Sequence, residues 1–206
     1  MSGVAIYMEG GGTGRVAKSA LRLGMDAFLA ELKEAARSKS WKWKLVCCGG
    51  RQQAFRAYCN ALSSNDYSLI VLLVDSEGPV TGQPHLHLNE RDGWNLGNEV
   101  ENGVHLMTQT METWIAADAD ALPNCYRQGF VPNALPKSDD LEAVAETGIR
   151  KALFNATAKT KKGECRKTRH ASSLLKIIDP RVVRKRCSFC ERLFWLLGLA
   201  IAENRP

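Results

Sequence analysis

The sequence predicts an α/β fold, a parallel sheet flanked by helices, with a helical and basic C-terminal annex. Three observations carry this. Short apolar runs alternate with helical stretches up to about residue 122, which is the pattern of strands joined by crossovers. Acidic residues stand directly after the apolar runs, and the basic charge is concentrated late in the chain.

Val4-Ala5-Ile6-Tyr7-Met8 is continuously apolar and stops at Glu9 and Gly10-Gly11-Gly12, predicting a strand buried on both faces and then a tight turn. Residues 13–39 follow helical spacing through Ala17, Leu21, Phe28, Leu32 and Ala35. Residues 41–48 read as a second strand, whose Trp-Lys-Trp-Lys alternation places it near a sheet edge. Gly49-Gly50 ends it. A helix over 51–62 follows, closed by Ser63-Ser64-Asn65-Asp66. Residues 69–74 are all apolar and end at Asp75, the clearest strand of the chain.

Residues 76–103 hold five glycines and two prolines and read as a long functional loop. A fourth strand is expected over 104–110 with Glu112 at its end, then a helix over 114–121. Pro123, Pro132 and Pro136 mark the break between an α/β core (1–122) and the extension (123–206). Ser138 is a candidate N-cap, with Asp139, Asp140 and Glu142 in the first turn and Arg150 and Lys151 near the helix end. Residues 155–168 read as a polar, basic loop, and 171–178 and 180–202 as helices.

Among 206 residues, 45% are hydrophobic and 24% charged, a globular composition. The longest apolar run, 193–202, is bounded by Arg192 and Glu203 and falls short of the roughly 20 residues a membrane span needs. No basic stretch precedes an apolar one at the N-terminus, so a cytoplasmic protein without a membrane partner is expected. The seven cysteines fit free thiols in a reducing compartment. Cys187-x-x-Cys190 lacks a second pair at zinc spacing unless His85 and His87 are drawn in, so buried thiols are the expectation. Phe189, Phe194, Trp195 and Leu196 suit either a core or an interface, which leaves a homo-oligomer open.

The net charge is +6, but residues 159–186 hold eleven Lys or Arg against Glu164 and Asp179, leaving the remainder at −3. An acidic body beside a basic segment suits a protein that holds a polyanion, DNA or RNA, near a metal site. In an open parallel sheet, ligands bind beyond the C-terminal strand ends. Glu9 stands at one such end, and Asp75 and Glu77 at another, where residues i and i+2 face the same way. Such hard oxygens suit Mg²⁺ or Mn²⁺, with Glu112 as a further ligand, and clustered carboxylates call for a neutralising cation.

Met8-Glu9-Gly10 and Leu73-Val74-Asp75-Ser76-Glu77 resemble the Toprim domain of topoisomerases, primases and the overcoming-lysogenization-defect nucleases, which places a Glu-Gly after the first strand and a D-x-D pair after the third. The stretch from Met111-Glu112 to Asp118, Pro84-His85-Leu86, Arg91-Asp92-Gly93-Trp94 and Ile178-Asp179-Pro180 are similar to small bacterial Toprim-like proteins that sit beside ATP-binding-cassette-type ATPases in phage-defence loci. Glu77 departs from the usual second Asp, and the chain carries no ATPase domain.

The resemblance implies a metal-dependent endonuclease controlled by a separate ATPase. Asp75 and Glu77 would hold Mg²⁺, Glu9 would act as acid, base or second-metal ligand, and Glu112 would support that second metal. Lys161, Lys162, Arg166, Lys167, Arg169 and His170 would grip the phosphate backbone without reading sequence. Trp94 would stack on a base or anchor its loop on the core. The alternative is a non-catalytic subunit of the ATPase complex. A phosphate-binding loop over 12–19 is disfavoured because Ala17 replaces its second glycine and Lys18 lies inside the predicted helix. A dinucleotide fingerprint lacks its acid after Cys47-Cys48-Gly49-Gly50.

Overall fold

Two-sided burial decides the strands. In the structure, a computed structural model describing residues 2–64 and 66–203, β1 (Gly3–Glu9), β2 (Lys42–Gly49), β3 (Leu69–Asp75) and β4 (Val104–Met107) form one all-parallel sheet in the order β2-β1-β3-β4. β1 and β3, the continuously apolar runs, lie in the middle and are buried on both faces. β2 lies at an edge and exposes Lys42 and Lys44, as its alternation predicts. Val4, Ile6, Met8, Val71 and Leu73 pack beneath one helical layer, and Ala5, Tyr7, Leu72 and Val74 beneath the other.

The predicted helix over 13–39 is divided at Leu29 into α1 (Arg15–Phe28) and α2 (Ala30–Ser38). Leu29 leaves helical geometry at φ −93°, ψ 18°, which redirects α2 while keeping Leu29 itself buried. α3 (Arg51–Ser64) matches the helix expected over 51–62, and Asn65 of its expected stop lies outside the described residues. The expected loop over 76–103 is corrected. It contains α4 (Pro84–Asp92) and a 3-10 turn (Asn98–Gly103). Pro84 opens α4 and Gly93, at φ 67°, closes it, so the punctuation read as loop marks a helix start and stop. β4 is also shorter than expected. The chain leaves it at Met107 and enters α5 (Met111–Ala117), so Glu112 sits in a first helical turn rather than at a strand end.

The extension departs from expectation most. α6 (Leu122–Tyr126) follows α5 directly. Ser138 caps no helix. Its hydroxyl donates to the Asp140 carbonyl at 2.7 Å, and the Asp140 carboxylate accepts the Glu142 amide at 2.9 Å, so these residues build a turn. The helix, α7 (Glu146–Thr157), begins later and runs into the expected loop, and α8 (Lys167–Leu174) begins before that loop was due to end. The last helix is split at Cys187 into α9 (Pro180–Arg186) and α10 (Ser188–Glu203). Glu142 explains the split, because its carboxylate accepts the Ser188 hydroxyl at 2.7 Å and the Phe189 amide at 3.1 Å and so caps α10 from a distant segment.

The extension is bound to the core, not hinged from it. Leu153, Leu174, Leu193 and Leu197 share one apolar cluster with Ile6, Met8 and Met25. Arg186 donates to the carbonyls of Ala117 at 2.7 Å and Pro136 at 2.8 Å. Arg192 ties α10 to the Val104 carbonyl at 2.9 Å. The buried His105 beside it is pushed down to about 3 by burial and by that guanidinium. Cys187 and Cys190 are buried, and burial pushes both thiols up. Phe194 is core, whereas Trp195 is exposed. Among the described residues, no helix is long and apolar enough to cross a membrane.

Candidate active site

β1 and β3 are neighbours, so the residues that end them share one rim at the C-terminal edge of the sheet. Glu9 is delivered there by a register shift between Met8 and Glu9, followed by a Gly10–Gly49 bridge. The loop after it folds tightly against α1. A Cβ on Gly11, at φ 84°, would lie 2.8 Å from the Lys18 Cα, and one on Gly49 would lie 2.5 Å from the Gly12 carbonyl oxygen. Lys18 is spent inside this turn, donating to the Cys48 carbonyl at 2.9 Å.

Asp75, the last residue of β3, is buried. One carboxylate oxygen accepts the Met111 amide at 2.9 Å, and the other accepts the Lys167 ammonium. The same ammonium lies 3.4 Å from Glu112 Oε2, an atom that is buried and has no hydrogen-bond partner. Glu112 Oε1 is 4.0 Å from Arg150, which is committed to Glu146 at 2.6 Å. Glu9 Oε2 lies 3.4 Å from the Asp75 amide nitrogen and 3.4 Å from Arg51 Nη1. Glu9, Asp75 and Glu112 thus converge from β1, β3 and α5.

Glu77 does not join them, which corrects the expectation that Asp75 and Glu77 face one ion. After Asp75 the chain leaves the extended state. The Glu77 amide donates to the Gln109 carbonyl at 2.8 Å, and Glu77 itself is at φ 52°. Strand alternation therefore stops one residue too early, and the Glu77 carboxylate turns out to Arg91. Its second neighbour is an unexpected network. Arg51 holds Asp92 through two parallel bonds of 2.8 and 2.7 Å and donates to the Asp75 carbonyl, while Arg91 adds a contact to Asp92 at 2.6 Å. The same strand-end logic reaches Arg51, which directly follows Gly49-Gly50, whereas Asp92 fell in the supposed loop.

Five carboxylates (Glu9, Asp75, Glu77, Asp92 and Glu112) thus meet four cations, Arg51, Arg91 and Lys167 closely and Arg150 at 4.0 Å. The imbalance shows in the acids. Burial and then the Asp75 charge raise Glu9, against the pull of Arg51 and Lys167. Burial also raises Asp75 although Lys167 opposes it. For Asp92, burial is outweighed by the Arg51 hydrogen bonds and the Arg51 and Arg91 charges, so it stays below the usual carboxylate range. Burial disfavours the Lys167 charge, but Asp75 and Glu112 more than offset this and push it up.

The donor set is right in kind for a hard divalent ion but not in placement. Among the described residues, no three His, Cys, Asp or Glu side chains stand together as a metal-holding group. An ammonium stands where Asp75 and Glu112 meet. As placed, the residues do not fit Mg²⁺ or Mn²⁺.

The other sequence candidates separate into two sets. Lys161, Lys162, Arg166 and Arg169 are exposed. Arg169 also lines a pocket of about 230 Å³ with Glu9, Gly10–Gly12, Met111 and Lys167, so the basic surface runs up to the acidic rim. His170 is buried, with its Nδ1 3.2 Å from the Tyr126 hydroxyl, and Lys167 faces the acids, so neither lies on that outer surface. Trp94 is buried and stacks on Phe55 at 4.1 Å between ring centres, with Arg51 over its face at 5.2 Å. It anchors the segment after α4, leaving no free face for a base. His85 and His87 lie on α4, bonded to the Asn98 side chain at 3.1 Å and the Ser76 carbonyl at 3.0 Å.

Fold and rim define an α/β protein whose acids and cations meet at the C-terminal edge of an all-parallel sheet. The chain belongs to the family described as domain of unknown function (DUF4276), which it matches over residues 8–197, a span that holds every residue of the acidic rim. No curated protein and no solved structure matches it.

Proposed function

We propose that the protein is a Toprim-like nuclease that hydrolyses phosphodiester bonds of DNA or RNA with Mg²⁺ or Mn²⁺, a phage-defence effector controlled by a separate ATP-binding-cassette-type ATPase. The observation that supports this reading is the convergence of Glu9, Asp75 and Glu112 at one rim, beside an exposed basic surface. Glu9, raised by burial and by Asp75, is suited to carry a proton at the reacting phosphate. Lys161, Lys162, Arg166 and Arg169 would hold the backbone on either side.

A non-catalytic subunit of the ATPase complex is the second reading. The observation in its favour is that Arg51, Arg91 and Lys167 already engage the acids. Co-purification to recover an ATPase, then cleavage assays with Mg²⁺ or Mn²⁺ on a panel of DNA and RNA with and without any ATPase so recovered, separate the two. The nuclease reading expects cutting that falls by about 10²-fold or more in Glu9→Gln and Asp75→Asn. Intact nucleic acid under every condition leaves the second reading standing.

A further inference from the structure

His170 is buried, yet only one side of its ring is engaged. Nδ1 accepts the Arg166 amide at 3.3 Å and lies 3.2 Å from the Tyr126 hydroxyl. A backbone amide can only donate, so Nδ1 carries no proton. Burial, and then the charges of Arg169, Lys162 and Arg166, hold the ring below the usual histidine range, so it is neutral at about pH 7. The one ring proton is therefore on Nε2, which has no hydrogen-bond partner among the described residues. His170 lines an open pocket of about 490 Å³ with Lys161, Lys162 and Arg169, and no carboxylate lines it. Lys162 rests on the Cys125 sulfur at 3.1 Å, a weak acceptor that it can leave. Three cations and one neutral N–H donor thus surround a single hollow.

That set favours one kind of phosphate. An internal phosphodiester brings about one negative charge, whereas a phosphate at a strand end brings about 1.5 to 2, together with three acceptor oxygens. Arg169 also lines the pocket of about 230 Å³ that holds Glu9, so the two hollows adjoin at this residue. We propose that the pocket over His170 binds the terminal phosphate of a nucleic-acid strand, with Nε2–H donating to it and Lys161, Lys162 and Arg169 balancing its charge. The substrate class is then a strand with a phosphorylated end, whose chain passes Arg169 toward Glu9. Being neutral, His170 adds no charge to the basic surface above it and supplies direction instead. This rests on the nucleic-acid part of the reading above and not on its metal.

The test is fluorescence anisotropy of the full chain, without metal, on one oligonucleotide carrying a 5′-phosphate, a 3′-phosphate or hydroxyl ends. One of the phosphorylated strands should bind about ten-fold more tightly than the hydroxyl-ended strand, and inorganic phosphate should erase the difference. His170→Asn places an amide oxygen where Nδ1 accepts and removes the Nε2 donor. It should keep the fold and the affinity for hydroxyl ends and lose most of the preference. A preference that survives in the folded variant overturns the role of His170. If the variant does not fold, nitrogen NMR of the wild-type imidazole decides. Inorganic phosphate should shift the His170 Nε2 signal, and an unmoved signal overturns the inference. Equal binding of all three strands overturns the end pocket and leaves the nucleic-acid reading standing. Binding of none overturns both.

Discussion

Arg51 shows how much of an acidic rim one side chain can organise. Its guanidinium engages Asp92 twice, the Asp75 carbonyl and Glu9, and it lies over the Trp94 ring. The Arg51 and Asp92 side chains are 14% and 10% exposed, so solvent does little to replace a lost partner. Arg51→Met should therefore destabilise the protein by about 3 kcal/mol in urea unfolding, because Asp92 stays buried and loses its two-bond partner, with only the more exposed Arg91 left beside it. The double variant Arg51→Met, Asp92→Leu should recover most of that loss. A single variant as stable as the wild type would show that the pair does not support the fold. Glu9 and Asp75 were legible in the sequence because a strand end is marked by a change in composition. The pairing of Arg51 with Asp92 was not, since the two stand 41 positions apart and only the folded chain makes them neighbours. The place of Glu77 was misjudged for a local reason, a left-handed backbone that i, i+2 alternation does not foresee.

Among the elements, the packing of α8 on α1 sets where Lys167 can stand. Gly24 of α1 meets the backbone of Ser172, and a Cβ there would lie 2.6 Å from the Ser172 carbonyl oxygen and 2.9 Å from its Cα. Backbone cannot move aside as a side chain can, so Gly24→Ala must push the helices apart. The expected cost is about 1–3 kcal/mol, a fall in unfolding temperature of about 2–4 °C for each kcal/mol in a chain of this size. Gly82→Ala, which meets open space, should leave that temperature nearly unchanged. A Gly24→Ala protein that unfolds with the wild type would mean that the helices are not in contact here. Strands and the helices between them were readable because burial on both faces writes continuous apolar runs, and β1 and β3 are such runs. The extension was harder to read because its boundaries are imposed from elsewhere. Glu142 starts α10 across 46 positions, and the short, polar α4 shows little apolar periodicity to betray it.

Across the whole molecule, charge is segregated along the chain and then folded together. The basic segment is distant in sequence from Glu9 and Asp75, yet α8 brings Arg169 to the pocket that Glu9 lines, and Lys161 and Lys162 share a neighbouring pocket with Arg169. A phosphate backbone lying across Lys161, Lys162 and Arg169 would reach the acidic rim without crossing the body. Lys167, half-buried, is engaged by Asp75, and His170 is buried, so neither counts toward this surface. Each phosphate neutralised contributes about 0.7–0.9 to the slope of log K against log salt. The triple variant Lys161→Ala, Lys162→Ala, Arg169→Ala should therefore bind single-stranded DNA or RNA more weakly at low salt, with a slope smaller by about 2. Its thermal stability should match the wild type, because Lys161, Lys162 and Arg169 are exposed. Fluorescence anisotropy over a salt series reads affinity and slope together. An unchanged slope would place the polyanion elsewhere on the surface, and a slope lost together with stability would mean that Lys161, Lys162 and Arg169 hold the fold rather than the ligand.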